Sequence, residues 1–356
     1  MIIVVGAGIA GMVATRRLSM QGHKPVWVSA AAPPAALGET LSERGVRFLN
    51  ALGWSGALDA TVALPSQGRF SVWGSAGLRT VQDEDGQGYL VDKARLEDRL
   101  GQWLQRDIQG AQRARVQRVE SLSDGVRAVL DDGSVLQGQA LIDCTGRAAI
   151  SSDAQTERRR LDRLVAVWRV FDLPEHVQTL SASLVEAVEL GWWYMSPMPG
   201  QRMMVALFSD ADLLPESLSR DAGCWSGLAR SSDAVRVRLE SLGIDCVLDQ
   251  VTPTVSAAAS TLASCVVQGR ILRAGDAVAT MDPLAATGLA TALWSGVQSA
   301  DAALALLKGD AGPAHRYEKD YLLGLVHHLN SQHALYGMEQ RYAGQPFWQR
   351  RHRPLD

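Results

Sequence analysis

The chain opens on Ile2-Ile3-Val4-Val5, an apolar and mostly β-branched run that passes straight into Gly6-Ala7-Gly8-Ile9-Ala10-Gly11. A short continuous apolar run of this kind predicts a strand buried on both faces. Helical spacing then takes over from Met12 to Gln21, Gly22 stops it, and Pro25–Val28 returns to strand character. Two later segments repeat the passage from strand to turn. They are Ala140-Leu141-Ile142-Asp143-Cys144-Thr145-Gly146-Arg147 and Arg270-Ile271-Leu272-Arg273-Ala274-Gly275-Asp276-Ala277. The second leads through Met281-Asp282-Pro283-Leu284-Ala285-Ala286-Thr287-Gly288-Leu289 into a long helical run that ends at Leu307.

The spacing of the first three glycines suits a pyrophosphate. Gly6 permits a tight turn, Gly8 lets the main chain approach the phosphates, and Gly11 lets helix pack closely on strand. The first N–H groups of the helix that follows face an anion, and Ile9 and Ala10 join the glycines as expected cofactor contacts. Set between strand and helix, the pattern predicts dinucleotide binding, against the blander reading of a glycine-rich turn without a ligand. The end of the second strand departs from the usual pattern. An acidic residue commonly holds the adenosine ribose there, whereas this chain has Ser29 followed by Ala30. Serine also suits a phosphorylated ribose, so this motif alone leaves flavin and nicotinamide dinucleotides open.

Composition acts by exclusion. Apolar residues make up 47% and charged residues 21% of the 356, and the formal net charge is −3, all ordinary for a globular protein. No overall field favours nucleic acid or an anionic membrane. Cys144, Cys224, Cys246 and Cys265 form no Cys-x-x-Cys pair, and reduced thiols in the cytoplasm are expected. Met1–Ala10 lacks the basic leader and cleavage site of a signal peptide. The apolar stretch Ile271–Leu307 is broken by Arg273, Asp276, Asp282, Pro283 and Asp301, which argues against a membrane span. His327, His328 and His333 lack the i,i+4 spacing of a helical metal site, and no metal is expected.

The segment from Arg270 to Leu289 resembles the second FAD fingerprint of para-hydroxybenzoate hydroxylase-type flavoproteins. Asp143-Cys144-Thr145-Gly146-Arg147 resembles the strand-turn between the two fingerprints, with Cys144 in place of alanine. The resemblance implies FAD as cofactor. It places Gly275 and Asp276 at the ribityl chain, and the Pro283 loop before a helix whose N-terminus, at Gly288 and Leu289, faces the flavin pyrimidine edge. Ala286 stands where the family often has glycine. A single Rossmann motif leaves no dedicated nicotinamide domain, so electrons come transiently or from an external reductase. Leu37-Gly38-Glu39-Thr40-Leu41 with Phe48–Trp54 is similar to the Gly-Glu-Ser-Leu region of flavin halogenases, and relatives carry a basic residue within Val91–Glu97 that opens a helix beside FAD. Thr40, Lys93, Arg95 and Val116 thereby join the expected FAD contacts.

Gly191-Trp192-Trp193-Tyr194-Met195-Ser196-Pro197-Met198-Pro199 resembles the substrate-sheet strand of the same group. The tail Tyr336–Arg351 resembles the LodB/GoxB type of flavoprotein, which matures quinone-cofactor amine oxidases. Spanning nearly the whole chain, this resemblance implies hydroxylation of a tryptophan side chain in a partner protein, an amine oxidase precursor, on the way to tryptophylquinone. Two alternatives stay open: a small-molecule aromatic hydroxylase or halogenase, and a non-catalytic flavin-bound maturation chaperone. A halogenase needs a lysine to carry the hypohalous species, and the only lysines are Lys24, Lys93, Lys308 and Lys319, none in that place. The halogenase Trp-x-Trp-x-Ile-Pro sequence is absent as well.

Candidate catalytic residues are Glu39, Asp282 and Trp193. Glu39 reads as an acid or base near the flavin, or as a hydrogen-bond partner of loop backbone; Asp282 reads as a base or a loop anchor. Trp192, Trp193 and Tyr194 read as walls of a water-excluding pocket or as ordinary sheet packing. Cys144 reads as a small buried filler rather than a redox thiol, and Arg158, Arg159, Arg160 and Arg163 as a solvated strand or linker face, with partner docking as the alternative. Phe347 and Trp348, set among Arg341, Arg350, Arg351 and Arg353, have the composition of an interface anchor, or of a segment docked on the chain's own sheet. The expected fold is α/β. A Rossmann-type FAD-binding domain from 1–65, 91–155 and 268–310 is interleaved with a mixed β-sheet substrate domain from 66–90 and 156–267, and a helical tail covers 311–356. Ala30–Ala36 is expected to be a loop.

Overall fold

The computed structural model describes residues 1–30, 38–82, 86–152 and 156–353. The loop expected at Ala30–Ala36 lies, apart from Ala30, outside them. Ile2–Val5 sits inside a six-stranded sheet, parallel to Ala140–Asp143 on one side and to Val26–Ser29 on the other. Ile271–Arg273 extends the sheet beyond Ala140–Asp143, and Ala111–Arg113 extends it beyond Val26–Ser29, both in parallel. Val267–Gln268 closes one edge in the antiparallel sense.

All of Ile2–Val5 is buried because both faces of its sheet are covered. Ile2 and Val4 pack with the helices Ile9–Met20 and Gly288–Leu307. Ile3 and Val5 pack with the antiparallel meander Val116–Ser121, Val126–Leu130 and Val135–Gly138. Side chains alternate between faces along a strand, so double coverage demands an uninterrupted apolar run. The first helix starts at Ile9, three positions before the expected Met12, because Gly8 already serves as its extended N-cap. Its close approach to Gly288–Leu307 depends on Gly296, where a Cβ would stand 2.7 Å from the Ala10 carbonyl oxygen. The second strand ends on Ser29, one residue later than the pattern predicted.

The other large layer is a seven-stranded sheet, ordered Thr254–Ala257, Leu164–Asp172, Arg202–Asp210, Gly191–Met198, Ser183–Val188, Arg69–Val72 and Arg79–Val81. It is mixed, since Ser183–Val188 and Arg69–Val72 run parallel while the other neighbours are antiparallel. Val167, Trp193, Met195, Val205 and Leu207 pack beneath the helices Ala222–Arg230 and Asp233–Ser241. Ala166, Trp192, Ala206 and Phe208 occupy the opposite face. Between the two layers, Tyr89–Asp92 pairs with Gly38–Leu41 and Ala63–Pro65, and Arg158–Arg160 joins Thr261–Ala263 and Ala279–Thr280.

The tail forms the helices Gly312–Gly337 and Pro346–Arg351 and folds back on the large sheet. Phe347 and Trp348 are fully buried beside Trp192 and Phe208, and the Trp348 indole N–H donates to the Val188 carbonyl at 2.9 Å. Arg350 and Arg351 both pair with the buried Asp210, at 2.8 and 2.9 Å. The aromatic pair is therefore a clasp on the chain's own sheet and offers no exposed anchor. Among the described residues, no helix is long and apolar enough to cross a membrane.

Candidate functional site

A cavity of about 1530 Å³ runs from the first glycine turn, past the ends of the parallel strands, to the Trp192 face of the large sheet. Its position outside the carboxyl ends of Ile2–Val5, Val26–Ser29 and Ala140–Asp143 is where open parallel sheets bind ligands. Usual small-molecule sites measure ~300–1,000 Å³, so this one has room for a dinucleotide and a second molecule.

At the nucleotide end, the backbone is shaped by glycines that tolerate no side chain. Gly6 has φ +127°, and a Cβ there would lie 2.1 Å from the Cys144 carbonyl oxygen. Gly11 lies behind the turn and off the cavity wall, with its would-be Cβ 2.3 Å from the Gly6 oxygen. The Gly6 carbonyl is held by the Trp27 indole N–H at 2.8 Å. Gly6, Gly8, Ile9 and Ala10 face the cavity, as do Ser29, Ala30 and Val116. Neither Gly8 nor Thr287, the N-caps of Ile9–Met20 and Gly288–Leu307, supplies a capping side chain. Both helices thus present backbone donors to the same space, which is the donor set a pyrophosphate and a flavin ring would use.

Charged residues gather in the middle of the cavity. Lys93 opens the helix Lys93–Asp107 and pairs with Glu39 at 2.8 Å; that carboxylate raises the lysine above its usual range. The protein around Glu97 pushes its carboxyl up to about 7, although Lys93 opposes the shift. Asp276 is open to the cavity but ringed by protein, which likewise raises its carboxyl. Arg147 donates to the Ala259 carbonyl at 2.8 Å, and Arg158 donates to the Asp276 carbonyl at 2.9 Å. Arg158 is thus tied into the site wall, while Arg159 and Arg160 are exposed.

Beyond Asp276, the loop around Pro283 leads to Gly288 and Leu289, all three on the cavity wall. Asp282 is buried, and burial raises its carboxyl. Its Oδ1 accepts from the Leu284 N–H at 2.9 Å, and its Oδ2 accepts from the Tyr336 hydroxyl at 2.7 Å and the Gln332 amide at 3.2 Å. The Tyr336 oxygen in turn accepts the Trp192 indole N–H at 3.1 Å, so a residue of the tail links the Pro283 loop to the large sheet. Ala286 adopts φ +51°, a left-handed conformation that costs a non-glycine residue ~1–2 kcal/mol. His328 is buried and meets the Thr287 hydroxyl through Nδ1 at 3.2 Å; burial lowers its pKa.

The far wall is aromatic. Trp168, Trp192, Tyr194 and Phe208 line it, with Trp192 stacked on Phe208 at 4.1 Å and the Tyr194 hydroxyl 3.4 Å from the Thr40 hydroxyl. Trp193 does not belong to this wall. It points to the opposite face and packs against Trp225, because consecutive strand residues alternate. Arg95 is also displaced. It bonds the Thr61 carbonyl at 2.9 Å and pairs with Asp92, outside the cavity lining, since two positions along a helix turn about 200° away from Lys93. Residues the pattern did not single out are Trp168, Glu97 and Tyr336. Glu97 follows Lys93 by four, a spacing that puts both on one helix face; nothing local marks Trp168 or Tyr336.

A family model described as an FAD binding domain matches residues 1–320. The chain belongs to the FAD binding domain family. LodB of Marinomonas mediterranea, named as an FAD-dependent oxidoreductase, is 25% identical over 98% of this chain and 96% of its own. The structure of QhpG, titled a peptidyl tryptophan dihydroxylase essential for tryptophylquinone cofactor biogenesis, is 27% identical with a TM-score of 0.80, covering 98% of this chain and 78% of that one. The fold is shared with the myxobacterial chondrochloren halogenase CndH, at 21% identity and TM-score 0.84 over 98% of this chain and 85% of that one. This flavoprotein is an FAD-dependent monooxygenase of the superfamily that includes para-hydroxybenzoate hydroxylase and the flavin halogenases.

Ser29 lines the cavity at the end of Val26–Ser29, where the sequence pattern expects the adenosine ribose. A charged hydrogen bond contributes ~1.5–3 kcal/mol against ~0.5–1.5 for a neutral one, so Ser29→Glu is expected to tighten FAD several-fold. Flavin fluorescence titration checks this; unchanged or weaker binding would show that the ribose is held elsewhere.

Proposed function

We propose that this flavoprotein hydroxylates a tryptophan side chain of a partner polypeptide, an amine oxidase precursor, during formation of a tryptophylquinone cofactor. The observation that carries this reading is the wall of Trp168, Trp192 and Tyr194 facing the flavin loop across one continuous cavity. FAD supplies the electrons with which dioxygen is activated, and the chain's own residues hold, orient and shield the target. Aromatic side chains receive an indole by stacked or edge contacts worth ~0.5–1.5 kcal/mol each beyond area burial, and Met204, Ala206 and Phe208 add apolar lining beside that wall. Gly6, Gly8, Ile9, Ala10, Ser29, Ala30, Thr40, Lys93, Val116, Gly275, Asp276, Pro283, Gly288 and Leu289 are assigned to FAD, each lining the cavity. Asp282, with both oxygens already accepting, is assigned to anchoring the loop, and Glu39 to orienting Lys93.

Similarity to QhpG supports a peptidyl tryptophan as substrate, and the aromatic lining of Trp168, Trp192, Tyr194 and Phe208 supports an aromatic one. Support for a halogenase is weaker: among the described residues Lys93 is the one lysine lining the cavity, and it is held by Glu39 on the flavin side. The test is co-expression with a precursor, with and without this protein and a reductant, followed by peptide mass spectrometry. The expected result is a tryptophan heavier by one or two oxygen atoms. An unmodified tryptophan beside FAD-loaded protein and reductant would reject the reading, and incorporation of halogen would replace it.

A further inference from the structure

Glu97 occupies the anion-binding end of the nucleotide helix. It lies on the helix Lys93–Asp107 and lines the cavity together with Ile9, the first residue of Ile9–Met20, whose N–H favours the ionised carboxylate. Its Oε1 stands 3.7 Å from the place a Cβ on Gly8 would take. Helix N-termini of this motif offer their N–H groups to a pyrophosphate, so a carboxylate and a phosphate would share the positive end of this helix at short range.

The surroundings give Glu97 little counter-charge. Lys93, one turn earlier on its own helix, is the nearby cation, but it is bonded to Glu39 on Gly38–Leu41 at 2.8 Å. Asp276, on the turn Gly275–Ala277, adds a third carboxylate, which Arg147 and Arg158 face along with Lys93. From Ile9–Met20 only the partial positive charge of the helix end faces it.

We propose that Glu97 is a proton-carrying ligand of the cofactor, so that FAD binding takes up one proton. This inference rests on the placement of the pyrophosphate at Gly6–Gly11. Neutral Glu97 leaves the N–H groups of the helix start to a phosphate oxygen and donates its own O–H to another; ionised Glu97 repels the phosphates and competes with them for those donors. The carboxyl is already pushed up to about 7 by burial, and a neighbouring phosphate raises it further.

The sign follows from linkage. A group that must be protonated in the complex leaves the affinity unchanged below its free pKa and weakens it tenfold per pH unit above. The FAD Kd of the purified apo-protein is expected to rise about thirtyfold between pH 6 and pH 8.5. Glu97→Gln offers the same donor without a proton, and its Kd should stay flat over that range. Calorimetry of the unmodified protein near pH 8, in two buffers of different ionisation enthalpy, should show uptake of close to one proton and serves where the variant folds poorly. A flat Kd with no proton uptake, or an identical rise in Glu97→Gln, would overturn the assignment. Absence of FAD binding at every pH would instead reject the placement of the pyrophosphate.

Discussion

Gly6→Ala is expected to abolish FAD binding and to lower the melting temperature more than any other single methyl added to the nucleotide end. At φ +127° the backbone lies where side chains are strained, at a cost of ~1–3 kcal/mol. The new methyl would also sit 2.1 Å from the Cys144 carbonyl oxygen, and relieving that overlap costs a further ~1–3 kcal/mol. Together these approach the ~5–15 kcal/mol that holds a typical fold. The strand Ala140–Asp143 and the glycine turn cannot separate without spoiling the parallel pairing of Val5 with Asp143. Flavin fluorescence and thermal unfolding check the expectation. A variant that melts with the parent and still takes up FAD would mean that the turn has a second conformation of comparable energy.

Ending the chain after Gly344 is expected to prevent folding. The deletion removes Phe347 and Trp348, both fully buried, and loss of a large buried aromatic costs ~3–5 kcal/mol. It also strips Arg350 and Arg351 from Asp210, which is 1% exposed. A buried charge left unpaired costs another ~3–5 kcal/mol. Those losses expose the sheet face behind Trp192, so their effect reaches the substrate end of the cavity. Circular dichroism and solubility of the truncated chain provide the measurement. A soluble, cooperatively melting product that fails only in modifying its partner would return the segment to the role of a docking anchor.

Much of the nucleotide end was legible because its signals are local. A buried strand, three glycines and a helix start within one short stretch, and steric limits on φ and on Cβ size act on neighbouring residues. Boundaries drifted by one to three residues, at Ile9 and at Ser29; at Ile9 the reason is that Gly8 can end a turn and begin a helix at once. The substrate end was harder. Trp192, Trp193 and Tyr194 are equally aromatic in the sequence, and only the covering of one sheet face by Ala222–Arg230 and Asp233–Ser241 decides that Trp193 turns away.

By itself, the sequence determined that this chain builds a parallel nucleotide sheet with ligand-facing turns at Gly6, Asp143 and Gly275, since those turns depend on adjacent residues; FAD entered through their resemblance to known flavoproteins. Tertiary structure alone decided which charges and rings share the cavity. Glu97 meets Gly8, Tyr336 joins Asp282 to Trp192, and Arg350 and Arg351 reach Asp210 across long stretches of chain. Such contacts depend on how layers pack, and side-chain packing between distant segments leaves no periodicity in the sequence that would announce it.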